Sequence, residues 1–171
     1  MKSIFIVSGE KESGKTTFLL DVLSLLQMNG FVVGGFVALH EIEADCYQIK
    51  DVKTNEVLPL MQRVASFEKR PHHFKFFSKG VEMGNDCIKK LLLYPPDIAI
   101  LDEIGGYELR GKLWSSRFTQ LVESSFPLIF SVKDRLLDRV LVKWNIKPSH
   151  VFNSADFNDP DKAFELIKRY L

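Results

Sequence analysis

The chain has 171 residues, 46% of them hydrophobic, and 23 basic side chains stand against 22 acidic ones for a formal net charge of +1. That length suits one domain over residues 1–171, with a core that needs no staples, and the balanced charge gives no field to draw in nucleic acid or a membrane surface. The two cysteines, Cys46 and Cys87, have no C-x-x-C or Cys/His ligand spacing, which excludes a zinc module or a disulfide framework.

The first expected element is a strand at Ile4-Phe5-Ile6-Val7, preceded only by Met1-Lys2-Ser3. This apolar run is too short for a signal peptide, and no later run approaches a membrane span, so a cytoplasmic protein without membrane association is expected. Directly after it, Gly9-Glu10-Lys11-Glu12-Ser13-Gly14-Lys15-Thr16 fits the pattern G-x-x-x-x-G-K-[ST], with Thr17 following. A strand, a tight glycine loop and a helix start are the context in which successive backbone N–H groups cradle phosphate oxygens. Residues Gly9 to Thr17 are thus the candidate nucleotide contacts for ATP or another nucleoside triphosphate. Lys15 would reach the β- and γ-phosphates and the Thr16 hydroxyl would ligate Mg²⁺.

Residues 14 to about 29 read as the first helix, with Phe18, Leu19, Val22, Leu23, Leu25 and Leu26 apolar and Gly30 as its stop. Phe31 to Leu39 follows as a strand in which Gly34-Gly35 marks a bulge or a close backbone approach. Tyr47–Val52 alternates apolar and polar, Lys53–Glu56 supplies turn chemistry, and Val57–Leu60 completes an edge β-hairpin. Residues 63–79 lack clear periodicity, apart from a short strand at His73–Phe77, before helical spacing from Val81 to Tyr94. Pro95-Pro96 ends that helix, and Asp97–Leu101 reads as a strand covered on both faces. Beyond it, helices at 113–124, 136–144 and from Asp159-Pro160 onward alternate with strands at 128–132 and 150–153. Such alternation specifies an α/β fold of three layers, with a mostly parallel central sheet and right-handed crossovers.

Ligands of such sheets sit beyond the carboxyl ends of the strands, where the glycine loop and Asp102-Glu103 should meet. Alone, an acidic pair after an apolar strand is as readily a helix cap or a solvated turn. Beside a phosphate loop it takes the arrangement of a Walker B segment, in which Asp102 holds Mg²⁺ next to Thr16. Glu103 is then the group that orients a water and accepts its proton, so Lys15 and Glu103 are the candidate catalytic residues.

Together, Gly9 to Thr17, Gly34-Gly35-Phe36 and Asp102-Glu103-Ile104-Gly105-Gly106-Tyr107-Glu108-Leu109 resemble the thermophilic-type nucleoside-triphosphatase family. The similarity implies a RecA-like P-loop domain that hydrolyses several nucleoside triphosphates with Mg²⁺, and it carries Glu108 over as a motif residue. This chain departs from the pattern in filling the middle of the loop with Glu10, Lys11 and Glu12, which should weaken docking. It also has no arginine in Val37–Ile42 and reads Asn153-Ser154-Ala155-Asp156 where an Asn-Arg-Asp is usual.

A charge-neutralising arginine for phosphoryl transfer must then come from elsewhere. Arg110, Arg117, Arg135 and Arg139 are the candidates, and Arg135, just past the strand at 128–132, is the first choice. Lys69–Phe77 mixes bases with aromatics as single-strand binders do, but the balanced charge favours a loop feeding an edge strand. His72-His73 lacks a second metal-ligand cluster, and Tyr107 could stack on a base or simply pack at the rim. The leading expectation is hydrolysis of nucleoside triphosphates to diphosphate and phosphate with broad base tolerance. The alternatives are a P-loop kinase for a small acceptor and a nucleotide-gated binding module.

Overall fold

The computed structural model describes residues 2–64 and 73–171. The chain runs through β1 (Ile4–Ser8), α1 (Lys15–Met28), β2 (Val33–Glu41), β3 (Cys46–Asp51), β4 (Val57–Val64), β5 (His73–Phe76) and α2 (Ser78–Leu93). It continues with β6 (Ile98–Leu101), α3 (Gly106–Leu109), α4 (Ser115–Glu123), β7 (Leu128–Val132), α5 (Asp134–Lys143), β8 (His150–Phe152) and α6 (Pro160–Lys168).

All eight strands form one sheet in the order β5-β4-β3-β2-β6-β7-β1-β8. The stretch β2-β6-β7-β1-β8 is parallel throughout. Its central strands β1, β6 and β7 are buried at every residue, as continuous apolar runs must be when helices cover both faces. One face packs Phe18, Leu19, Val22 and Leu26 of α1 and Phe164 and Ile167 of α6 against Phe5, Val7, Ile98 and Ile100. The other packs Ile88 and Leu91 of α2, Phe118 and Leu121 of α4 and Val140 of α5 against Ile6, Phe36, Leu101 and Phe130. The result is the expected three-layer α/β architecture.

The edge is larger than the expected hairpin. β2, β3, β4 and β5 form an antiparallel meander, because β2 runs on past its parallel partner and turns back through Ile42–Asp45 into β3. Only Val33–Phe36 of β2 pairs with β6, whereas Phe36–Glu41 pairs with β3. The polar tail His40-Glu41 belongs to this second half, where a strand is half-covered and need not be apolar.

The Gly34-Gly35 pair marks a close approach. Gly35 has φ +117°, and a methyl group on it would overlap the carbonyl oxygen of Ile100 and stand 2.9 Å from its carbonyl carbon. Helices α2, α4 and α5 lie within a few residues of their expected bounds, while the single-turn α3 was not anticipated. Among the described residues no helix is long and apolar enough to cross a membrane. Residues 69–72 of the mixed basic and aromatic segment lie outside the described residues; of its remainder, His73–Phe76 forms β5 and Phe77 caps the start of α2.

Candidate active site

β1, β7 and β6 end side by side, so the loops after β1 and β6 open at the same edge of the sheet with β7 between them. The loop after β1 turns through Gly14 at φ +97°, which leads into α1 without a side-chain cap, so the helix's first N–H groups remain free for an anion. Lys15 is buried and arches back over the loop, its Nζ donating to the carbonyls of Gly9 (2.9 Å) and Glu10 (2.6 Å). The hydroxyl of Ser13 is buried within the loop and lacks a hydrogen-bond partner. Glu10, Lys11 and Glu12 are exposed, and Lys11 pairs with Glu12 at 3.5 Å. Phe157, in the loop after β8, stacks on Phe18 and lies beside Gly9 and Gly14, a neighbour that its isolated place in the sequence did not announce.

Asp102 follows directly on β6 and is fully buried. Its Oδ2 accepts from Thr16 Oγ1 at 2.7 Å and from the Ala38 N–H at 3.2 Å, and its Oδ1 accepts from Ser131 Oγ. Burial pushes its carboxyl up to about 6, and the neighbouring Glu103 adds to the rise, while the three hydrogen bonds oppose it. The contact between Thr16 and Asp102 brings together the two expected metal ligands.

Mg²⁺ prefers oxygen ligands and usually keeps waters and substrate phosphates alongside one or two protein groups. One hydroxyl and one carboxylate fit that habit. A divalent ion there would also favour the charged form of a carboxylate that burial resists.

Glu103 has φ +64°, a conformation strained for a side-chain-bearing residue. Its N–H donates to Ser131 Oγ at 2.8 Å, and the Ile104 N–H donates to the Ser131 carbonyl at 3.0 Å. Ser131, which sequence reasoning passed over as an ordinary strand residue, thus ties both acidic residues to β7. Downstream, Glu108 in α3 accepts from the Gly105 N–H at 2.9 Å and closes the Glu103–Gly106 turn. Its other oxygen is buried without a partner, and burial lifts the carboxyl to about 7 although the Gly105 hydrogen bond opposes the rise.

The upward shift on Glu108 has a definite sign for stability. Because its folded pKa lies above its unfolded one, stability is fully present below about pH 4.5 and is lost as pH rises through about 7. Glu108→Gln keeps an acceptor for Gly105 and removes the titration. Thermal melts should therefore show the variant more stable than the parent at pH 8, by about 1–3 kcal/mol, with the difference shrinking as pH falls and vanishing below about pH 4.5. A constant offset across that range would dissociate Glu108 from the pH dependence.

These elements enclose a hollow of about 350 Å³ lined by Lys11–Thr17 of the loop, Leu20, Ala38–His40 and Ile42 of the β2 end, Tyr47 and Glu103. Loop, Thr16 and Glu103 share it as expected, with Asp102 beneath. His40 and Tyr47 were not singled out in the sequence. They face each other across β2 and β3, their rings stacked at 4.4 Å and 16°.

None of the four candidate arginines lines the hollow. Arg135 and Arg139 are exposed on α5, although Asp134, beside Arg135, accepts from Ser8 Oγ at the end of β1. Arg117 is half-buried on α4, where it bonds Gln120, and Arg110 lies over the Tyr107 ring at 4.8 Å. Tyr107 itself packs edge-on against Phe76. Of the His72-His73 pair, His72 lies outside the described residues.

A family model described as NTPase matches residues 4–164. Among curated relatives, the nucleoside-triphosphatase THEP1 of Methanopyrus kandleri is 25% identical over 140 residues, covering 80% of this chain and 77% of its own. The protein of the same name from Methanocaldococcus jannaschii is 26% identical over 127 residues, 72% of this chain and 74% of its own. Among solved structures, THEP1 from Aquifex aeolicus superposes with a TM-score of 0.70 at 18% identity, over 96% of both chains. A human cancer-related nucleoside triphosphatase does so with a TM-score of 0.68 at 16% identity, over 97% of this chain and 98% of its own.

Proposed function

The chain belongs to the NTPase family, and we propose that it hydrolyses nucleoside triphosphates to diphosphate and phosphate with Mg²⁺ and without a strong choice of base. The observation that carries this reading is the contact of Thr16 with Asp102 at the mouth of a phosphate loop that shares one hollow with Glu103. Broad base tolerance is supported by the lining of that hollow, which offers no side-chain amide or carboxamide to read a base edge.

In this mechanism the loop N–H groups and Lys15 hold the β- and γ-phosphates, Lys15 exchanging the carbonyls of Gly9 and Glu10 for phosphate oxygens. Thr16 and Asp102 would hold Mg²⁺, which neutralises the charge shared by the two terminal phosphates. Glu103 orients a water at the γ-phosphorus and takes its proton as the water oxygen bonds to phosphorus. The bond to the β–γ bridging oxygen breaks, and its electron pair leaves with the diphosphate. Residues 1–171 would act as one catalytic unit. A cytoplasmic setting belongs to the same reading, since that compartment supplies nucleoside triphosphates and keeps thiols such as Cys46 and Cys87 reduced.

A panel of ATP, GTP, CTP, UTP and the deoxynucleotides tests this reading, with phosphate release and product identity followed with and without Mg²⁺. Mg²⁺-dependent release of phosphate from all of them, in the absence of any acceptor, is expected. Release only when a small hydroxyl acceptor is added would instead indicate a kinase. Mg²⁺-independent release would remove the metal from the mechanism.

A further inference from the structure

Glu103 can orient a water only if its side chain is held in one direction, and its backbone does not stay there unaided. A side-chain-bearing residue at φ +64° persists only where its surroundings over-determine it. Three successive N–H groups do so in this turn. Those of Glu103 and Ile104 donate to Ser131 on β7, and that of Gly105 donates to Glu108 Oε2 at 2.9 Å. The first two anchors belong to the sheet, whereas the third is a side chain from a single-turn helix.

That helix is itself clamped. Lys143 on α5 donates from Nζ to the carbonyls of Glu108 at 2.6 Å and Leu109 at 3.0 Å, and to Ser115 Oγ at the start of α4. On the other side Tyr107 packs edge-on against Phe76 of β5. The Leu109 N–H returns to the Gly105 carbonyl at 3.0 Å, so turn and helix are bonded in both directions.

A glutamate that reaches back to the N–H just before its own helix is a common cap. Such a cap works equally well at the surface, where water satisfies its second oxygen. Glu108 is only 2% exposed, and its Oε1 is buried without a partner, which burial makes unfavourable. Capping accounts for the bond but not for the burial. A side chain that fixes the distance between a clamped helix and the strained turn before it accounts for both.

We propose that Glu108 is a positioning residue, which holds Gly105 and thereby keeps the Glu103 side chain directed into the hollow. It acts through Glu103 alone, so the assignment rests on the hydrolytic reading of that residue. The groups that would hold phosphate and metal are bonded independently of it: Lys15 to the carbonyls of its own loop, and Thr16 to Asp102. Removing Glu108 should therefore leave docking in place and slow the chemical step.

A double-mutant cycle with Glu103→Gln separates this role from a structural one, reading kcat for Mg²⁺-ATP and calorimetric affinity for Mg²⁺ with a non-hydrolysable ATP analogue. Glu108→Ala should lower kcat about 30-fold, within the roughly 10²-fold that a displacement of about 1 Å can cost, while affinity changes less than about 3-fold. Glu108→Gln still offers Gly105 an oxygen and should recover most of the rate. In the Glu103→Gln background, Glu108→Ala should lower kcat by less than about a further 3-fold, because residues that act as a unit are not additive. A purely structural residue would shift the melting temperature and leave kcat unchanged below the melt. If Glu108→Ala does not fold, Glu108→Asp, whose carboxyl stops one carbon short of Gly105, carries the same cycle. Parent kcat in the variant, losses that multiply in the double mutant, or an equal loss of affinity overturns the proposal. Absence of phosphate release from the parent, or a parent rate in Glu103→Gln, would instead overturn the hydrolytic reading on which it stands.

Discussion

Replacing Glu103 with glutamine is expected to reduce kcat for nucleoside-triphosphate hydrolysis about 10²–10³-fold, the usual contribution of a positioned general base. The amide keeps the size of the carboxylate, and the backbone N–H that bonds Ser131 is untouched, so the strained turn at φ +64° should survive. On the proposed mechanism, what is lost is a proton acceptor beside the attacking water. Binding should behave differently. Glu103 is one of the causes that hold the Asp102 carboxyl up, so its neutralisation eases ionisation of the proposed metal ligand. Affinity for Mg²⁺-nucleotide should be unchanged or tighter, as titration calorimetry would show. Hydrolysis at the parent rate would remove Glu103 from the mechanism, and a parallel loss of affinity would recast it as a binding group.

This site was legible to the extent that its chemistry is local in the chain. The phosphate loop needs Gly14, Lys15 and Thr16 at adjacent positions because one turn and one helix start build it. Asp102-Glu103 could be paired with it because strand ends of a parallel sheet share an edge. Ser131, His40 and Tyr47 carry no such local signature. Ser131 sits in an apolar strand, and its importance comes from β7 lying between β1 and β6, which no spacing reveals. His40 and Tyr47 meet only because Ile42–Asp45 turns β2 back on itself, and that turn relies on Asp45 at φ +43° rather than on glycine or proline. The arginines failed as candidates for a related reason. Position after a strand places a residue at the correct edge, but helix phase decides which way it faces, and Arg135 and Arg139 lie on the exposed side of α5 while Val140 is buried.

Gly35→Ala should have the largest effect of any single methyl group in the protein. Two costs act together at this position: φ of +117° is one that L side chains rarely adopt, and the added Cβ would collide with the backbone of Ile100 on β6 rather than with a movable side chain. Backbone in the middle of a parallel pair cannot withdraw without breaking the Gly35–Ile100 register. A loss of about 4 kcal/mol or more follows, which for a domain of this size lowers the melting temperature by roughly 10 °C or more. Gly30→Ala separates the two costs. That residue also has positive φ, +83°, yet has nothing within 4 Å of an added Cβ, so only about 1 kcal/mol of strain is expected. A Gly35→Ala melt within about 3 °C of the parent would mean that β2 and β6 are not in the close contact described. The effect should also reach the active site, because β6 ends at Leu101 and the next residue is Asp102. A β6 pushed outward would carry Asp102 away from Thr16, so any Gly35→Ala protein that does fold should bind Mg²⁺-nucleotide more weakly than Gly30→Ala, although neither glycine touches the hollow.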